Sequence, residues 1–145
     1  MNQDEERMVK TAELIARLAH HGQRDKAGND YIDHPLTVAS FLDTPEEKTV
    51  GLLHDVMEDT WVTEAELRPI FGDRITDALC LLTHRDGEPY LDYVRRVKEN
   101  PLAKRVKLAD LRHNMDLSRI PNPKQKDFDR IERKYKPAVR ILTED

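Results

Sequence analysis

Cysteine is almost absent: Cys80 is the only one in 145 residues. A lone cysteine closes no internal disulfide and excludes any multi-cysteine zinc module. Lying in the run ALCLL, it reads as a packing residue. Long apolar stretches are also missing, and none approaches the roughly 18 residues that a bilayer span requires. The N-terminus, MNQDEERMVK, is acidic where a secretory leader is basic and then apolar. A soluble, cytoplasmic protein without a membrane partner is therefore expected. There is no repeat, no low-complexity tract and no Gly/Ser linker, so residues 1–145 are expected to form a single domain, large enough to bury its own core. No HExxH, ExxH, P-loop or GxGxxG occurs, which removes the ligands or loops of zincins, di-iron carboxylate bundles and common nucleotide folds. A net charge of −4 argues against a dedicated nucleic-acid binder.

What is present is charge, and it is unevenly placed. Residues 1–94 carry 20 Asp/Glu against 9 Lys/Arg, whereas residues 95–145 carry 8 against 15. Two readings stay open: solvated helix faces with internal ion pairs, or a basic wall facing an acidic site that takes a phosphorylated ligand through metal.

Apolar spacing is helical almost throughout. Met8, Ala12, Ile15 and Ala19 share one helical face. Thr44-Pro45-Glu46-Glu47 and Thr63 with Glu66 are capping-box starts, and Gly72 should end the second of these helices. Asn100-Pro101 and Asn122-Pro123 read as further N-cap-plus-proline starts. Pro137 should kink or fray the last helix. No strand pair is convincing. The fold class expected is all-α, a bundle of roughly six to eight helices by these signals.

The segment GLLHDVMED holds the strongest chemistry. His54 and Asp55 sit late in an apolar helix, and adjacent helical positions diverge by about 100°, so both reach one ion only at a crowded helix junction. Asp55, Glu58 and Asp59 place three carboxylates on one surface, where a divalent cation relieves their repulsion. The plainer alternative is a solvated helix end. His34, beside a helix start, and Asp110, in VKLADL, complete a two-nitrogen, two-carboxylate set. Such a set suits an octahedral ion such as Mn2+.

The series AHHGQRDKAGNDYIDHP, LLHDVMEDT and VKLADLRHNM resembles the hydrolase domain of RelA/SpoT-type alarmone enzymes, part of the HD superfamily of metal-dependent phosphohydrolases. The resemblance covers about Ala19 to Asn114. It implies an HD-domain bundle in which His34, His54, Asp55 and Asp110 bind Mn2+ or another octahedral divalent cation. Glu58 and Asp59 fall on the pair that orients the attacking water and assists proton transfer, and Asn114 on a substrate-contacting residue. The implied partner is a small phosphorylated nucleotide, and the implied reaction removes the 3′-pyrophosphate of (p)ppGpp in a stand-alone hydrolase.

The departures lie in the nucleotide pocket. Asp25 stands where the family stacks an Arg on guanine, Ala27 replaces a Ser, Asp30 a Pro, and Leu117 a Thr. Arg24 could take over the lost contact, and Lys26, like Lys104 and Lys107, could hold phosphate. The alternatives are an HD hydrolase of a different nucleotide, or a low-turnover protein that senses a nucleotide or binds a partner. His20 and His21 are expected to close the first helix as cations facing its dipole. His84 is expected in a turn and His113 on a helix surface. Trp61 is expected in the core, and Tyr90 and Tyr93 as packing residues.

Overall fold

A computed structural model describes residues 1–145. Local sequence decides where its helices begin. Helix α1 (Gln3–Ala19) opens on a capping box in which Asn2 Oδ1 accepts from the Glu5 amide at 2.8 Å and Glu5 accepts from the Asn2 amide at 3.1 Å. Thr44 with Glu47 starts α3 (Pro45–Leu53), and Thr63 with Glu66 starts α5 (Glu64–Leu82), by the same exchange. Asn100 caps α7 (Pro101–Asn114) by accepting from the Ala103 amide. Each such cap is worth about 1 kcal/mol. Helix α2 (Asp33–Ser40), the single turn α4 (Val56–Asp59) and α6 (Tyr90–Lys98) complete the first part of the bundle.

The chain ends in one rod made of α8 (Gln125–Arg130), a π turn (Ile131–Tyr135) and α9 (Lys136–Thr143). With α4 set aside and this rod counted once, the bundle has seven helices, as the apolar spacing suggests. The only strand-like pairing is an isolated bridge between Arg24 and Asp30. No helix is long and apolar enough to cross a membrane.

Helix α3 occupies the centre and packs against α1, α2, α5 and α7. Its Val50 and Leu53 join Leu67, Leu79, Leu111 and Leu142 in the core. Burying each leucine contributes about 1.5–3 kcal/mol. At Gly51 the neighbouring helix comes so close that a Cβ would lie 2.9 Å from Leu42 Cδ1 and 3.4 Å from Ala39 Cα. The absent side chain lets α2 and α3 approach closely, near His34 and His54.

Gly72, at φ 82° and ψ 174°, ends the first helical segment of α5 as expected, and a second segment begins directly after it. Other local expectations change. Asn122 caps nothing. An N-cap is extended, as Asn100 is before Pro101, whereas Asn122 takes the left-handed φ of 53°, and α8 starts later, with Asp127 accepting from the Lys124 amide at 2.8 Å. Trp61 lies outside the core and is 66% exposed. The chain turns extended at Thr60, and Val62 takes the buried position instead. Pro137 does disturb its helix: an ordinary turn cannot accept its ring, and the wider π turn just before it keeps the rod continuous.

Candidate functional site

Three separate segments bring four donors together. His34 is the second residue of α2, and Asp110 stands three turns into α7. His54 caps the C-terminal end of α3, and Asp55 begins α4, so the pair sits at a helix junction where adjacent side chains can converge. His34 Nε2 lies 2.9 Å from Asp110 Oδ1 and 3.7 Å from Asp55 Oδ2. His54 Nε2 lies 3.0 Å from Asp55 Oδ2 and 3.4 Å from Asp110 Oδ1. Neighbouring donors around an octahedral ion with bonds of about 2.1 Å stand about 3.0 Å apart, so these separations fit one divalent cation.

The hydrogen-bond ledger points the same way. His54 Nδ1 donates to the Gly51 carbonyl at 2.6 Å, while its buried Nε2 makes no hydrogen bond despite the carboxylates beside it. Burial opposes a charge on His54, but the Asp55 and Asp110 carboxylates outweigh it and raise its pKa well above the ordinary imidazole range. Burial pushes Asp55 up, yet His54 facing it leaves its carboxyl at about 2. Against the same burial, Lys107 and the two imidazoles hold Asp110 well below the carboxylate range. A cation among these donors replaces a proton at Nε2.

A surrounding layer fixes the donors. Tyr31 donates its hydroxyl to Asp55. Lys107, which sequence left undecided between phosphate holder and solvated face, is buried and bonds Asp110 Oδ2 at 2.8 Å. Asn114 Nδ2 donates to Asp110 Oδ1 at 3.1 Å. His113 is half-buried against His34 rather than on an open helix surface, with 2.7 Å between their Nδ1 atoms. The clue in the sequence was its place one helical turn beyond Asp110. His20 does close α1, but it is no cation: burial lowers its pKa, its Nδ1 bonds Gln23 Oε1, and its ring packs on Tyr31.

Glu58 and Asp59 stand at the exposed mouth, close to Asp55. Glu58 Oε1 accepts from the His84 amide at 2.7 Å, which anchors it to the loop after α5. Asp59 is different: partial burial together with the Asp55 and Glu58 charges raises its pKa to about 6.

These groups share a cavity of about 450 Å3, within the usual range for small-molecule sites. The same cavity is lined by Arg119, Arg130 and Lys134 of the basic C-terminal half and by Lys26, with Asp25 and Asp127 among them. Part of the uneven charge thus lines one cavity with the acidic groups, while most of the C-terminal cations lie outside it. Desolvation and the charges of Lys107, Arg130 and Lys26 all lower the Lys134 pKa, so these cations crowd one another. Lys134 lies 4.4 Å over the Tyr90 ring; Tyr93 packs as expected, its hydroxyl bonded to the Leu82 carbonyl. Arg24 reaches only the rim. Its guanidinium bonds the Gly28 carbonyl at 3.0 Å and faces Asp30 at 3.5 Å, with 67% of the side chain exposed.

Comparison with known proteins adds the lineage of this arrangement. The family model described as HD domain matches residues 12–84, which hold His34, His54, Asp55, Glu58 and Asp59. A GTP pyrophosphokinase of Streptomyces coelicolor is 34% identical over 75% of this chain. The bifunctional (p)ppGpp synthase/hydrolase SpoT of Escherichia coli is 32% identical over 78%. The chain spans only 14% and 18% of the length of these two relatives. Among solved structures, a metazoan ortholog of SpoT, described as hydrolysing ppGpp and playing a role in starvation responses, matches with a TM-score of 0.75. It is 24% identical, and the match covers 94% of this chain and 86% of that one.

Proposed function

The chain belongs to the HD domain family, and from that premise we propose that it is a Mn2+-dependent phosphohydrolase of a nucleotide, with the 3′-pyrophosphate of (p)ppGpp as its first candidate substrate. One observation carries the proposal: four donors from three segments converge beside a Glu-Asp pair, in one cavity with a cluster of cations. Relatives named for (p)ppGpp synthesis and hydrolysis support the substrate choice.

His34, His54, Asp55 and Asp110 would hold the ion. When bound, it supplies charge neutralisation for phosphoryl oxygens and acidifies a water. The rest falls to the protein. Lys26, Arg130 and Lys134 attract the phosphates and offset charge that builds on them in the transition state. Asn114 reaches substrate from the floor while holding Asp110. Arg24, on the rim, is available only if it leaves Asp30 and Gly28. Asp59, at about 6, can take a proton from water and return it to the leaving oxygen near neutral pH. Glu58, anchored by His84, orients that water.

The test is phosphate and pyrophosphate release from a panel containing ppGpp, common nucleotides, deoxynucleotides and NADP, with Mn2+ and with chelator. Metal-dependent release of pyrophosphate from ppGpp is expected. Release only from another nucleotide replaces the substrate. Nucleotide binding without any release makes the protein a sensor with an HD fold.

A further inference from the structure

We propose that Arg119 is the residue of the cavity that faces the nucleobase, its guanidinium held as a flat plate by Asp25. The inference rests on the nucleotide reading above and names the group that sets base preference. Arg119 ends a short 3-10 turn (Leu117–Arg119) whose start is pinned by Asp116, which accepts from both the amide and the hydroxyl of Ser118. Its Nε bonds the His113 carbonyl at 3.3 Å, and its Nη1 lies 3.6 Å from Asp25 Oδ2. Asp25 is in turn bonded to its own loop. Its Oδ1 accepts from the Ala27 amide at 2.9 Å and the Asn29 amide at 3.0 Å. The guanidinium is thus tethered on two sides, and only a quarter of its side chain is exposed.

The cavity therefore holds two kinds of cation. Lys26, Arg130 and Lys134 line the cavity without a carboxylate in ion-pair range, and burial with neighbouring cations lowers the pKa of Lys26 and of Lys134. An anionic phosphate gains most there. Arg119 is already neutralised by Asp25, and a phosphate would have to displace a carboxylate fixed by its own loop. A neutral aromatic ring has no such competition. It can stack on the face of a guanidinium whose edge is occupied, and Ala27, Leu117 and Ile120 supply apolar wall in the same cavity. The remaining guanidinium at the rim, Arg24, is turned back on Gly28 and Asp30. A face contact reads ring size and ignores edge pattern. Purines should be favoured over pyrimidines, with little choice between guanine and adenine.

The test measures affinities of the Mn2+-loaded protein for GDP, ADP, UDP and inorganic pyrophosphate, in wild type, Arg119→Ala and Arg119→Lys. Arg119→Ala should weaken GDP and ADP by about 5- to 30-fold, while pyrophosphate changes less than about twofold. Arg119→Lys keeps a charge for Asp25 but has no plane, so it should lose most of the same affinity with its melting temperature preserved. If the alanine variant does not fold, the lysine variant carries the test. Equal losses for pyrophosphate and nucleotides would make Arg119 a phosphate ligand and overturn the proposal. No loss for any nucleotide, or strong wild-type preference for GDP over ADP, would overturn it too. A protein that shows the expected pattern but hydrolyses nothing keeps Arg119 in this role and refutes the hydrolase reading alone.

Discussion

The Nδ1 atoms of His34 and His113 lie 2.7 Å apart, with the two rings stacked at 4.9 Å. One imidazole must donate and the other accept. Burial, helped by His34 and Arg119, lowers the pKa of His113 to about 4, so at neutral pH it is uncharged and able to accept. Without an ion His34 Nε2 donates to the ionised Asp110 at 2.9 Å; once a cation takes the Nε2 lone pair, the ring hydrogen has to sit on Nδ1, where the uncharged His113 can accept it. His113 sets the tautomer that a metal-binding His34 needs.

Replacing His113 with Ala should weaken Mn2+ binding about 10- to 100-fold, the usual cost of losing a partner behind a ligand. Gln at this position, whose carbonyl can accept, should recover part of it. Titration of the metal-free protein with Mn2+ reads the result, and equal affinities in all three proteins would remove His113 from this role.

Removing the metal should soften the whole bundle, because the donors come from α2, the α3–α4 junction and α7. Metal at about 100 times its dissociation constant adds about 2.7 kcal/mol. For a chain of this size that corresponds to a melting shift of about 5–10 °C. Affinity should also rise with pH through neutrality, since His54 is raised above 6.5 and its proton must leave first. Identical melting curves with and without chelator would contradict the ligand set.

Glu58→Gln and Asp59→Asn should each retain the ion and lose about 10²- to 10⁴-fold in turnover, the typical share of acid–base assistance. Metal content of the purified variants is the control. A variant that loses ion and activity together would show its carboxylate to be a ligand.

Asp59→Asn should also stabilise the metal-free protein, and only at higher pH. The folded pKa of about 6 exceeds the reference value of 3.8, so the fold prefers the protonated acid. Ionisation therefore costs stability, fully above pH 6 and not at all below 3.8. In chelator, the variant should melt above wild type at about pH 7.5, with the difference closing as pH falls toward 4. A gain independent of pH would have another origin.

Much of this was legible in the sequence, and particular residues show why the rest was not. Thr44, Thr63 and Asn100 act through neighbours three residues away, so their helix starts can be read locally. His34, His54, Asp55 and Asp110 could be grouped because a buried carboxylate demands compensation. Asp25 showed in the sequence only as a departure from the family's Arg; its bonds to its own loop and its pairing with Arg119, 94 positions away, are not legible there. Arg130 was equally hidden, since its meaning depends on which elements fold back to line the cavity. Trp61 followed the general rule for large apolar residues until a turn at Thr60 reversed its side.

Gly51 has two roles that meet in one place. Its missing side chain admits α2 against α3, and its carbonyl aims the His54 imidazole. A single added carbon would press first on the Leu42 side chain, which can swing aside, and then on the Ala39 backbone of α2, which has far less room to give. The same residue thus serves as both spacer and hinge pin, with helix spacing on one side of it and imidazole orientation on the other.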